Sequence, residues 1–369
     1  MNSEDFNKTF NLPFKEAEAF FRQKLNIPTR EWTDLWQQEQ AKGFMSAGAM
    51  KAELLSDLRG MADEAVAGKI SVKDFRARFR PLVEKHGWQL KGGGPGWRAD
   101  LIYRTNVATA YQAGRWRQMQ NGGVEYLRYV HADGVVHPRP QHLAMHGTVR
   151  PIDDIFWGTN YPPNGFRCHC RAEPVSSAGY AATEPELKRR PDGWQTAPDT
   201  GWRYNVGSAG DKGYEALTAK FETLPPEIAK GWIREFVKQP AFAQFVAGQI
   251  KGNFPVAVLD EQDRLALGTT KQTVWLSRKT LDGHLDKHPE IGLGDYQMIP
   301  EVISDGEVYL RPVTGRESER LIFLKRNGKL YRAAVKATAD KGKNFFLSLF
   351  ETTDGKALEA VRSKYNRIR

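Results

Sequence analysis

VHADGVVHPRPQHLAMHGTVRPIDDIFWGTNYPPNGFRCHCRAEP, residues 130–174, is the stretch on which the reading of this chain turns. It holds His131, Asp133, His137, His142, His146, Cys168, His169 and Cys170, so five of the eight histidines and both cysteines crowd into it. Dense Pro, Gly and Asp break up any apolar periodicity, and the stretch reads as loop-rich rather than as a self-supporting helix or sheet. Imidazole and thiolate are the preferred ligands of tetrahedral zinc, and four such donors drawn from two loops would staple an irregular segment. Cys168 and Cys170 are one residue apart, which makes a disulfide between them a strained ring. The expected zinc ligands are Cys168, Cys170 and His142, completed by Asp133 or His137. The competing reading makes the cysteines small buried apolar groups and the histidines hydrogen-bonding partners.

Upstream, apolar residues recur at helical spacing in FKEAEAFFRQKL and AELLSDLRGMADEAVAG. In SVKDFRARFRPLVEKHGW, Ser71 is the expected N-cap, with Asp74 three residues on; Phe75, Phe79, Leu82 and Val83 form one face, and Gly87 ends the helix. The cluster KGGGPGW at 91–97 reads as a flexible joint before a further helix, WRADLIYRTNVATAYQAGRWRQMQ. That helix sets Arg104, Tyr111 and Arg115 near one face, as planar or aromatic groups suited to binding phosphate or bracing a loop, or simply as a solvated stripe. VEYLRYVH alternates like a strand.

Downstream, residues 176–212 are rich in turn formers and read as an extended arm or linker, followed by helix to about 250. From about 270 come a helix, SRKTLDGHLDKHPEI, and short strands VYLRPV, RLIFLKRNGKLYRAAVKAT and NFFLSLFET, with Asn327-Gly328 as a hairpin signal. The expected class is multidomain α+β: a helical region over 1–95, a loop-rich His/Cys core over 96–175, the arm and helices over 176–269, and a small α+β domain with an antiparallel sheet over 270–369.

The whole chain fits this division. Its 369 residues exceed the usual size of one domain. Hydrophobic residues make up 40%, and the mean hydropathy of −0.58 suits folded units rather than disorder. No window is apolar enough to span a bilayer and the start MNSEDFNKTF lacks an apolar leader, so no membrane partner and a cytosolic origin are expected. Lys and Arg number 54 against 44 Asp and Glu, a formal charge of +10, which favours polyanionic partners such as DNA or RNA.

At this point a resemblance becomes specific. Arg104-Thr105-Asn106, Ala110 to Arg115, Asp133, Arg139, His142, Phe156-Trp157, Tyr161 to Gly165 and Cys168 to Arg171 together resemble the phage Mu F-like minor head proteins. The helical lead before them is similar as well, so the likeness covers most of residues 30–175. His169 stands between the cysteines, where that family commonly has Arg. The resemblance implies a low-copy component of the virion, made in the host cytoplasm. Such a component joins the head during assembly near the portal, with portal, capsid and scaffold proteins as partners and packaged DNA within reach.

The last hundred or so residues resemble, more weakly, the barnase, EndoU, colicin and RelE-like nucleases that phages append to head proteins. Metal-independent RNA cleavage needs a base, an acid and cations around the phosphorane. His284 and His288 are four apart on the expected helix with Lys287 beside them, and Arg332, Lys336 and Thr338 alternate on one strand, with Ser348 on the next. The expected roles are His284 or His288 as acid and base, with Lys336 and Arg332 as phosphate clamps. From residue 271 onward, 19 Lys and Arg against 13 Asp and Glu suit RNA. The alternative is a purely structural virion protein whose last domain binds nucleic acid or capsid without catalysis. A metal hydrolase at the His/Cys segment ranks behind both, because a filled cysteine-rich site has no open coordination position.

Overall fold

A computed structural model of the chain describes residues 14–369 except positions 36, 91, 133, 134, 136, 211, 212, 220, 313–319, 328, 353 and 354. The described residues form two compact units that divide between Gly213 and Tyr214. Both combine helix and strand, as the sequence predicts.

In the first unit, α1 (Lys15–Arg22) leads to two short parallel strands, β1 (Leu25–Asn26) and β2 (Gly43–Phe44). Then come α2 (Ala52–Val66), α3 (Val72–His86) and the long α4 (Gly94–Asn121). The predicted cap of α3 is present in full: the Asp74 N–H donates to the Ser71 hydroxyl at 3.2 Å, and the Ser71 N–H donates to the Asp74 carboxylate at 2.9 Å. Gly87 ends the helix in the left-handed region, φ 60°, where a side chain would strain the backbone. The 91–97 cluster does not separate two bodies. Gly92 and Gly93 turn with positive φ, Pro95 sits in the first turn of α4, and Phe75 and Phe79 of α3 share one core with Ile102 and Trp116 of α4.

Around that helical base lies a three-stranded antiparallel sheet, ordered β4-β3-β5, with β3 (Tyr126–Val130) between β4 (Val149–Pro151) and β5 (Arg171–Val175). The connections carry α5 (Pro140–Leu143) and α6 (Ile155–Asn160), and α7 (Ser177–Ala181) follows the sheet. Phe156, Trp157 and Tyr161 are fully buried beneath it, so the Phe-Trp and Tyr-Pro-Pro-Asn-Gly elements are core-building pieces. The 176–212 segment has little regular structure, but it is not a free arm. Trp202, Tyr204 and Val206 are buried, and a Cβ on Gly207 would lie 2.6 Å from Cδ1 of Trp116 on α4.

The second unit begins with α8 (Gly213–Ala219), α9 (Pro226–Phe236) and α10 (Pro240–Val246). Next come β6 (Asn253–Val258), α11 (Glu261–Leu267), β7 (Thr273–Ser277) and α12 (Arg278–Leu285). The chain continues through α13 (Leu293–Gln297), α14 (Ile299–Asp305), β8 (Glu307–Arg311), β9 (Arg320–Asn327), β10 (Lys329–Ala337) and β11 (Asn344–Thr352), and closes with α15 (Gly355–Lys364) and β12 (Asn366–Arg367). Seven strands form one sheet in the order β12-β8-β9-β10-β11-β7-β6, antiparallel throughout except for the parallel β11–β7 pair. β9 and β10 pair from Asn327 and Lys329 onward, as the Asn-Gly signal predicts, although Gly328 itself lies outside the described residues. One sheet edge, β6, lies before the boundary expected at 270. Its NFPVAV run is buried almost end to end and gives no alternation to read.

Candidate metal centre

Three elements of the first unit converge on His142, Cys168 and Cys170. α5 begins with Pro140 in its first turn and presents His142, which is 2% exposed. The Tyr161 to Gly165 turn and the start of β5 bring up the two cysteines, both buried. Nδ1 of His142 lies 3.8 Å from Sγ of Cys168 and 3.9 Å from Sγ of Cys170. Ligands on one tetrahedral zinc, at bond lengths near 2.3 Å to sulfur and 2.0–2.1 Å to nitrogen, stand roughly 3.6 Å apart. The three donor atoms all lie within 4.8 Å of one another, close to what a shared ion needs.

The electrostatics of the pair fit a ligand role. Cys168 is held well below the ordinary thiol range, chiefly by the hydrogen bond from Cys170 and further by His142, while sharing that proton and burial push Cys170 up. Tyr129 of β3, fully buried, also contacts this pair. Its hydroxyl bonds to Cys170 and accepts from Nδ2 of Asn164 at 3.0 Å, and burial drives its ionisation far upward. It therefore serves as a neutral donor to sulfur.

The fourth expected ligand is a different matter. His137 is exposed and does not join the cluster, and Asp133 lies outside the described residues. The backbone N–H of His131 donates to Nδ1 of His146 at 3.1 Å, neither histidine joins the cluster, and His169 lies on the exposed side of the Cys-His-Cys turn. On the far side of His142, Nε2 is buried without a hydrogen bond among the described residues, and the facing group is Oδ1 of Asp199 at 3.5 Å. Asp199 comes from the 176–212 segment and was not among the sequence candidates. An isolated Asp among turn formers reads as one more turn residue.

The α4 stripe flanks this centre. Arg104, Tyr111, Arg167, Cys168 and Cys170 line one cleft together with Trp202. Its cations are committed: Asp100 receives Arg104 at 2.9 Å, Arg76 at 2.8 Å and Arg167 at 3.5 Å. Asp100 thus ties Arg167, the residue before Cys168, to α4 beside Arg104, while Tyr111 packs edge-on against Phe14.

In the second unit the predicted catalytic residues fall into two groups. His284 is buried, with Nδ1 2.7 Å from the Tyr296 hydroxyl and Nε2 accepting the Leu349 N–H at 3.3 Å, where β11 has run past its pairing with β7. Burial first, then the neighbouring His288, lowers its pKa, so it stays neutral with both nitrogens engaged. His288 is half-buried against Glu290 at 3.1 Å and Phe350, and Lys287 is exposed. Arg332 and Ser348 share the sheet face of Phe350, since Arg332 pairs with Phe350 and Ala334 with Ser348. Lys336 and Thr338 line an open cleft with Ser277, Lys279 and Thr280 around the start of α12. His284 lies in that helix's last turn instead, so the cleft takes Lys336 and Thr338 without either histidine.

The first unit is therefore a helix-and-sheet module built around a buried His/Cys centre. Residues 59–173 match the family model described as Phage Mu protein F like protein. A protein named as capsid assembly protein F of Escherichia phage Mu is 31% identical over 274 residues, covering 62% of this chain and 61% of that protein. The Mu-like prophage FluMu F protein of Haemophilus influenzae is 31% identical over 226 residues, covering 50% of this chain and 54% of its own length. The chain thus spans less than two thirds of either relative. No solved structure matches it. Among the described residues, no helix is long and apolar enough to cross a membrane.

Proposed function

We propose that this chain acts in assembly of a phage head, with a central module stapled by one zinc ion on His142, Cys168 and Cys170. The observation that carries the reading is the coincidence of the Mu F-like segment with the buried His/Cys centre. In a head assembly role the module would dock on portal, capsid or scaffold proteins in the host cytoplasm and remain in the virion, within reach of packaged DNA. The net charge of +10 favours that last contact. The test is genetic and particle-level. A phage lacking this gene should yield few DNA-filled heads by electron microscopy, wild-type chain should restore them, and purified heads should contain the chain by mass spectrometry. Normal heads without it would overturn the reading.

Residues 214–369 support two readings. A metal-independent ribonuclease is favoured by the cleft lined by Lys279 and Thr280 of α12 together with Lys336 and Thr338. A non-catalytic binding module for nucleic acid or capsid is favoured by the enclosure of His284. RNA cleavage by the full chain that is lost in His288→Ala and Lys336→Ala selects the first; no cleavage by wild type selects the second.

A further inference from the structure

We infer that Asp199 is the outer carboxylate of the metal centre: it fixes the proton of His142 on Nε2, and loading the centre thereby fastens the segment around Asp199 to the core. The inference rests on the zinc reading above. A neutral imidazole carries one proton, and the nitrogen that binds a metal must be bare. Nδ1 is the atom that faces both sulfurs, so the proton belongs on Nε2. That nitrogen is buried and unbonded, a costly state unless an acceptor closes on it. At 3.5 Å, Oδ1 of Asp199 is too far for a good hydrogen bond, and a shift of about 0.6 Å brings it to bonding distance. Coordination at Nδ1 draws electron density from the ring and strengthens Nε2–H as a donor, which favours that shift.

Asp199 is built into place from several sides. Its Oδ2 receives Nε of Arg139 at 3.1 Å, its Oδ1 lies 3.4 Å from Nε2 of Gln141, and its backbone N–H donates to the Asn164 carbonyl at 2.8 Å. Gly165 leaves it room, for a Cβ there would lie 2.8 Å from Cγ of Asp199. Arg139 and His142 from α5, and Asn164 and Gly165 from the turn before the cysteines, therefore meet at one carboxylate. Two thiolates balance a divalent ion, and Arg139 balances Asp199, so the loaded centre is neutral with its surroundings.

The test is zinc affinity of the full chain, measured by competition with a chromophoric chelator, for wild type, Asp199→Asn and His137→Ala. Outer-sphere partners are worth about 10- to 100-fold in affinity. We expect a loss of that size in Asp199→Asn and a change of less than about threefold in His137→Ala, whose exposed ring lies outside the cluster. Zinc should also slow hydrogen exchange over residues 198–206 in wild type and not in Asp199→Asn. Equal affinity of wild type and Asp199→Asn overturns the inference while leaving the zinc staple standing. A wild-type chain that takes no zinc overturns the staple, and the inference with it. A measurement without any variant guards against misfolding: nitrogen NMR of zinc-loaded wild type should find His142 protonated on Nε2 and bare at Nδ1, and the reverse overturns the assignment.

Discussion

Replacing Trp202 with Ala tests whether the turn-rich segment after the sheet is part of the folded core. Trp202 is 1% exposed, and its ring meets Phe166 edge-on with centroids 5.0 Å apart. A buried Trp removes roughly 200–250 Å² from water, worth about 5–6 kcal/mol at 25 cal/mol per Å². Residual order in the unfolded chain lowers that figure, and measured Trp→Ala losses in cores run about 3–5 kcal/mol. The indole N–H has no hydrogen-bond partner among the described residues, so no such bond is lost with the side chain. Because the chain has two units, a single global melt would blend their transitions, and hydrogen exchange resolved by peptide is the better assay. A loss of about 3–5 kcal/mol speeds exchange of the peptides around Phe166 and Trp202 by roughly two to nearly four orders of magnitude, each 1.4 kcal/mol being tenfold. Trp202→Phe keeps the ring contact and removes the unpaired N–H, so it should cost far less. Exchange that changes less than about threefold in Trp202→Ala would mean that the segment is the free linker its composition suggests.

Other perturbations follow from particular contacts. Ser71→Ala removes the cap of α3 and should destabilise the first unit by about 1 kcal/mol, read as faster exchange across α3. Asp154 feels burial, which raises its pKa, but hydrogen bonds from Arg190, Arg150 and the Phe156 N–H outweigh it and leave the value at about 2. Its folded value lies below the ordinary one, so its contribution is complete above the carboxylate's usual pKa, near 4, and is lost as pH falls toward about 2. The melting temperature of the first unit should drop across that window, and Asp154→Asn should start lower and drop less. His284→Leu strands the Tyr296 hydroxyl and the Leu349 N–H, at a cost of about 1–3 kcal/mol for each group left unpaired. If His284 is purely structural, its loss lowers stability of the second unit; a loss of RNA cleavage with stability intact would return it to a catalytic role.

What could be read from sequence divides along a physical line. The cap at Ser71 and Asp74, the stop at Gly87, the strand at Tyr126–Val130 and the Asn-Gly hairpin are local devices, and each appears where its residues predict. The cysteines and His142 were legible by chemistry, since few roles suit two thiols and an imidazole in one loop-rich stretch. Asp199 was not, because nothing near it in the chain signals that tertiary contact will set it behind His142. His137 stands apart for the converse reason: nearness in sequence does not bring its exposed ring to the cluster. His284 sat at the right helical spacing for a catalytic pair, but the spacing could not say that the strand edge left by β7 claims its ring.

Native mass spectrometry of the full chain, purified without added chelator, tests the centre most directly. One zinc ion per chain is expected, retained in wild type and lost when Cys168 and Cys170 are both changed to Ser. A wild-type chain that carries no zinc and takes none up when it is supplied would contradict the stapled centre.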